Sequence, residues 1–453
     1  MQTLWARHAL VAGQWLADVR VEIDAGRILS CTPDQPATGQ RVHLLLPAPA
    51  NSHSHAFQRA MAGLTEQRGP QAGDSFWTWR QLMFRFLNDL TPEQVEAITA
   101  FVQMEMLEAG FGASVEFHYL HHRAGGAPYR NPAEMSERIA AAAETSGIGL
   151  TLLPVLYQFG GCDGRALGPG QQRFGNTPDS YATLLSGAEG AVMQLPPDSV
   201  LGTAPHSLRA VSREALQSLP GLRPDAPIHM HLAEQKAEVD EVQAHWGARP
   251  VDWALDNLDL NGRWCLIHCT QMTAQETSAL ARTGAVAGLC PLTEASLGDG
   301  IFDGIRWVEN AGAISIGSDS NIRISLAEEL RQLDTTQRLR DHSRAAFATR
   351  ARSTGRRLLE DAAIGGAQAA GRGAGRIEPG AWADLLALDT GHPDLEGLSP
   401  DTALDTFVFA GDSAMVSDVW SAGRHLVTGG RHIARDQITE DYRGAVRTLR
   451  AGL

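Results

Sequence analysis

The chain has 453 residues, with 38 basic against 52 acidic side chains, a formal net charge of −14, and 43% apolar residues. That length allows one large catalytic domain with a small companion, and the apolar share excludes a disordered chain. The negative balance argues against nucleic-acid or anionic-membrane partners, and no apolar run nears the roughly 20 residues a membrane span needs.

The N-terminus, MQTLWARHAL, has no basic segment ahead of a long apolar core, so no signal peptide is expected. Residues 1–47 read as short strands that alternate apolar and polar residues and break at glycines. The tail reads alike, in GRIEPGAWADLLALD, DTFVFAG and VSDVWSAGRHLVTGG. The expectation is one small β-sandwich domain built from 1–47 and 371–453.

Between these ends, eight apolar runs alternate with helical patterns. The runs fall at 43–50, 112–119, 148–156, 198–204, 227–233, 263–268, 285–290 and 313–318. Helix signals include Thr91-Pro92 with a stop at Gly110, and Asn131-Pro132 with a stop at Gly147. A capping box at 273–276 stops at Gly284. This order predicts a (β/α)8 barrel over 48–370. The insertion at about 56–111 is too long for a loop and is expected to carry extra helices over the barrel mouth, including SFWTWRQLMFRFL.

Two residue counts narrow the chemistry. The five cysteines, at 31, 162, 265, 269 and 290, form no CxxC pair, so a reducing cytoplasm is expected rather than a disulfide framework. Cys265 and Cys269 flank His268 and are read as small core residues. Lys236 is the only lysine, so Schiff-base catalysis, pyridoxal phosphate anchoring or a lysine-bridged metal pair could use no other residue.

In such a barrel the reactive groups stand at the C-terminal ends of the strands. The first run is followed by His53-Ser54-His55, whose alternate side chains can converge on one cation. The fifth ends in His229-Met230-His231 with Glu234 beyond, the sixth at His268, and the eighth at Asp319. Imidazoles with one carboxylate suit Zn²⁺, with Fe²⁺ as second choice. His231 is preferred to His229 as ligand, because that leaves Glu234 one step further into the site. Glu116 is read as a structural carboxylate.

The strand-end HxH, His and Asp, together with the tail GRIEPGAWADLLALD, resemble the amidohydrolase superfamily over essentially the whole chain. The absence of lysine before 236 narrows the resemblance to the mononuclear deaminase branch. It implies one Zn²⁺ (Fe²⁺ possible) on His53, His55, His231 and Asp319. It also implies catalytic roles for Glu234, His268 and Asp319, and a homodimer by analogy.

The polar rim residues Gln58, Arg80, Tyr119, His206 and Arg209 would make a pocket rich in cationic donors, suited to a dicarboxylate. The strings HSHAFQRAMAG, EFHYLHH, APHSLRAV, HLAEQ and GLCPLTEASLGDG resemble the iminohydrolase members of the superfamily. That implies hydrolysis of the C=N bond of N-formimino-L-glutamate, in histidine degradation, with those five residues as substrate contacts. The alternative is a nucleobase- or adenosine-type deaminase. Gln271 departs from the resemblance, which has histidine there, and puts a loop contact in doubt.

Overall fold

The computed structural model describes residues 1–66 and 76–451, with the side chains of 76–82 outside the described set. Two sheets organise them. The first has eight strands: β1 (Gln2–Val11), β2 (Gln14–Asp24), β3 (Arg27–Thr32) and β4 (Gln40–Pro47) from the start of the chain, and β14 (Leu385–Leu388), β15 (Val416–Ser421), β16 (Arg424–Thr428) and β17 (Arg431–His432) from its end. Its order is β17-β16-β15-β14-β4-β1-β2-β3, so both termini contribute to one hydrogen-bonded sheet. Two-residue turns at Ala12–Gly13 and Ala25–Gly26 hold both residues at positive φ, which matches the twist of the flanking strands.

The second sheet consists of β5 (Ala50–Ser54), β6 (Ala113–His118), β7 (Gly149–Leu156), β8 (Val200–Leu201), β9 (Ala204–Pro205), β10 (Ile228–Leu232), β11 (Trp264–His268), β12 (Val286–Leu289) and β13 (Ala313–Ile316). Its pairings are all parallel. The ring closes where Thr203 N–H donates to Pro227 O at 3.0 Å and His229 N–H donates to Thr203 O at 3.1 Å. The strands are buried on both faces beneath surrounding helices, which is why they read as continuous apolar runs. The result is the expected (β/α)8 barrel with a sheet formed from both ends of the chain.

The helices between strands start where capping predicts. Thr91 and Gln94 form a capping box before Pro92–Glu108, and Thr273 and Glu276 form another before Ala274–Ala281. The helix expected from Asn131 begins later, at Glu134, because Asn131 Oδ1 turns back to accept the Ala133 N–H at 3.0 Å.

Two readings of the sequence need correction. The run 43–50 is not the first barrel strand: its front half belongs to β4, and Pro47 and Pro49, which have no N–H to donate, separate it from β5. The tail segment 405–411 is not a strand. Ser399 caps a helix, Pro400–Phe409, that buries Ala403, Leu404, Phe407 and Val408 along one face. A further helix, Arg435–Arg450, packs on Pro92–Glu108 with Tyr442 stacked on Phe101 at 3.9 Å between centroids.

A buried ionic network joins barrel and terminal sheet. Arg372, after the last barrel helix, reaches Asp198 at 3.1 Å and Asp384, beside β14, at 3.0 Å. Arg424 on β16 reaches Asp198 at 2.7 Å. Among the described residues no helix is long and apolar enough to cross a membrane.

Candidate active site

His53 near the end of β5 and His55 just after it bring their rings together, with centroids 4.6 Å apart. The loop after β13 is drawn tightly against them. Gly317 permits this, since a Cβ there would lie 2.7 Å from the His53 nitrogen. Asp319 N–H then donates to His53 O, and His55 N–H donates to Asp319 O, both at 2.9 Å. These two bonds stitch the Asp319 carboxylate between the imidazoles.

Four donor atoms meet there. His53 Nε2 lies 3.2 Å from His231 Nε2 and 3.6 Å from Asp319 Oδ1, and His55 Nε2 lies 3.3 Å from Asp319 Oδ1. A tetrahedral ion with ligands at about 2.0–2.1 Å requires ligand atoms about 3.3–3.4 Å apart. The tautomers also fit. His55 Nδ1–H donates to Phe117 O at 2.9 Å and His231 Nδ1–H to His206 O at 3.2 Å, which leaves both Nε2 lone pairs facing inward. Burial pushes His55 down to about 3 and holds His53 and His231 well below the ordinary histidine value, so all three stay neutral. Lone pairs and a carboxylate crowded this closely repel one another unless a cation sits among them. The donor set suits one divalent ion.

His229 points elsewhere, its Nε2–H donating to Ala369 O at 2.7 Å. Glu116 accepts the Ala56 N–H at 2.7 Å and so turns the chain after His55; burial pushes its carboxyl up to about 8.

Glu234 follows Ala233, which sits at φ 51. The Glu238 carboxylate holds that turn by accepting the N–H groups of Ala233 at 3.2 Å and Glu234 at 2.9 Å. Glu234 thereby lies 4.0 Å from His268 Nε2 and 3.8 Å from Arg209 Nη2. His268 also approaches Asp319 Oδ2 at 3.8 Å and Glu294 Oε1 at 3.3 Å. Burial opposes its charge, but Glu234, Glu294 and Asp319 outweigh burial and push it up to about 10. Burial pushes Asp319 up to about 7, against the pull of His268.

These groups face one common cavity. Gln58 Nε2–H donates to Tyr119 Oη at 2.8 Å in its wall. The His206 ring lies 5.0 Å from that of His231, nearly parallel to it. Arg209 is buried, and its Nε has no hydrogen-bond partner among the described residues. The structure therefore brings Gln58, Tyr119, His206 and Arg209 to one cavity with His55, His231 and Asp319 of the metal-binding set, whereas the side chain of Arg80 lies outside the described residues.

Sequence reasoning missed Met83, Tyr157, Phe174 and Leu297 in the cavity wall, and the carboxylates Glu238, Glu294 and Asp299 behind it. Glu238 was findable, since it stands three residues after the residue preceding its helix, where glutamate often reaches back to orphan N–H groups. Gln271 Nε2–H donates to Asp299 O, and Gln235 Nε2–H donates to Asp299 Oδ1. The departure at Gln271 therefore supplies a donor that fastens the neighbouring loop.

A family profile described as "Amidohydrolase family" matches residues 44–426. A formimidoylglutamate deiminase of Pseudomonas aeruginosa is 45% identical over 447 residues, 98% of each chain. A 5-methylthioadenosine/S-adenosylhomocysteine deaminase of Natronomonas pharaonis is 27% identical, over 96% of this chain and 91% of that one. A crystal structure of an amidohydrolase from Brucella melitensis matches with a TM-score of 0.95 and 46% identity, over 99% of this chain and 100% of that one.

Proposed function

Because the chain belongs to the amidohydrolase family, we propose that it is a formimidoylglutamate deiminase, an enzyme that hydrolyses the C=N bond of N-formimino-L-glutamate to give N-formyl-L-glutamate and ammonia. The reaction places it in histidine degradation. In the structure, the reading is carried by Arg209, a buried guanidinium whose Nε is open among the described residues, in the same cavity as His55, His231 and Asp319. Guanidinium is the side chain best shaped to take a carboxylate in bidentate fashion.

His53, His55, His231 and Asp319 would hold the ion, and three imidazoles with a carboxylate favour zinc. Bound there, zinc supplies Lewis acidity that makes water nucleophilic near neutral pH. Arg209, whose Nη2 lies 3.8 Å from Glu234, binds a substrate carboxylate and so sets the formimino group against the acid. Asp319 Oδ2 takes the proton of the water that adds to the C=N carbon. Glu234 gives its proton to the terminal nitrogen as attack proceeds; the proton held by Asp319 then passes through Glu234 to the same nitrogen as ammonia leaves, and the hydroxyl proton of the adduct replaces it on Glu234. His268, 3.8 Å from Asp319 Oδ2 and 4.0 Å from Glu234, holds positive charge beside the oxygen as it develops negative charge.

A second reading, a purine nucleoside deaminase, has one feature in its favour: Tyr119, Tyr157 and Phe174 give the cavity aromatic walls. Ammonia release from N-formimino-L-glutamate and from 5′-methylthioadenosine, assayed side by side, separates the two. Turnover of the formimino compound alone is expected, with the KM of Arg209→Met raised about 10- to 100-fold by loss of a charged hydrogen bond. Ammonia from the nucleoside alone, or an unchanged KM, overturns the reading.

A further inference from the structure

A second set of donors stands directly behind the first. His268, Cys290 and Asp319 each offer a ligand atom, and these lie within 4.8 Å of one another, all buried. The Asp319 carboxylate faces two ways: Oδ1 looks toward His53 and His55 at 3.6 and 3.3 Å, and Oδ2 toward His268 at 3.8 Å. Cys290 follows β12 and packs inside the barrel with Cys265, Ile267 and Val286. His268 and Asp319 line the cavity, so a cation that enters it reaches them first, with the thiol close behind.

The surroundings are anionic. Glu234, Glu238 and Glu294 are buried around this point beside Asp319, with Arg209 and His268 as neighbouring cations. Buried carboxylates in such excess favour uptake of a further positive charge. Sulfur with imidazole selects soft or borderline ions over magnesium or calcium.

We propose that His268, Cys290 and Asp319 form a second, inhibitory site for a soft divalent cation, sharing Asp319 with the first ion. This rests on the metal reading of the first site. The Cys290 thiol and the His268 imidazolium each give a proton to solvent, and the freed sulfur and nitrogen lone pairs go to the cation; nothing is oxidised or reduced. His268 and Asp319 are then withdrawn from hydrolysis, so ions beyond one per chain inhibit.

The test uses the full-length enzyme carrying one zinc per chain, titrated with Cd²⁺. Cadmium bound per chain, zinc retained, ultraviolet sulfur-to-cadmium charge-transfer absorption and ammonia release are read together. One additional cadmium is expected, with zinc kept, the sulfur band appearing, and activity lost in proportion to the cadmium bound. Cys290→Ser is expected to keep its activity, show no such band and resist cadmium; Cys290→Ala serves if the serine variant does not fold. One zinc with no cadmium step overturns the second site alone, as does an equal band and equal inhibition in the Cys290 variants. A chain that holds no zinc before cadmium is added overturns the first site and the second with it.

Discussion

His268 at φ 71 and Asp319 at φ 45 stand on left-handed backbone that residues other than glycine seldom adopt, and Ala233 at φ 51 does so beside Glu234. Each such residue costs about 1–3 kcal/mol and persists only where its surroundings fix it. Here the fixing groups are visible. Glu238 clamps the turn at Ala233, and Asp319 is tied to His53 and His55 through the backbone. The strain lies where aim matters, at the residues that carry protons. Glu234→Gln preserves the shape of the acid but cannot give up a proton. It should keep one metal ion per chain, by metal analysis, while ammonia release falls on the order of 10²–10⁴-fold. Turnover within a few-fold of the parent would remove Glu234 from the chemistry.

Between elements, the decisive contacts are few. The approach of Gly317 to β5 sets the metal-binding geometry, and the network of Asp198, Arg372, Asp384 and Arg424 holds the terminal sheet to the barrel. Removing one partner of a buried ion pair leaves charge uncompensated. Arg372→Ala should therefore cost about 3–5 kcal/mol in a denaturant titration. A loss below about 1 kcal/mol would mean that the network is no more than a surface-like pairing.

Much of this element-level order was legible in the sequence, because buried parallel strands leave continuous apolar runs and reactive groups follow their ends. His53, His55, His231, His268 and Asp319 could be read from position alone. Other features could not. The segment 405–411 looks extended by composition, and its helical period shows only when counted from the Ser399 cap. Glu294 and Asp299 fall within the string GLCPLTEASLGDG, but their place behind the cavity depends on contacts with residues far away in sequence, Glu294 with His268 and Asp299 with Gln235. The Arg372 network was hidden for the same reason, its members being far apart in sequence.

Taken as a whole, the molecule buries many titratable groups, and this couples its stability to pH. The folded chain holds protons that the unfolded chain has lost at His268, raised to about 10, at Asp299, raised to about 9, and at Glu116, raised to about 8. Ordinary values are about 6.5 for histidine and about 4 for the carboxyls, so all three contribute most at low pH and lose that contribution as pH rises. Between pH 6.5 and 8 each withdraws up to about 1.4 kcal/mol per pH unit. The buried imidazoles with lowered values oppose this weakly near pH 6.5, where the unfolded chain's histidines are about half charged, and add nothing toward pH 8, where they are neutral whether the chain is folded or not. Calorimetry should show the Tm of the metal-free protein falling from pH 6.5 to 8, and falling less with zinc bound, because the ion offsets the carboxylate charge. A Tm that rises over that interval would contradict the account.

The central claim is that His53, His55, His231 and Asp319 hold one ion. X-ray absorption at the zinc edge, on protein carrying one equivalent, reads it directly. The account predicts four protein nitrogen and oxygen neighbours at about 2.0–2.2 Å, three of them imidazole, with a water oxygen beside them. A sulfur neighbour at about 2.3 Å, or zinc that washes away, would contradict it.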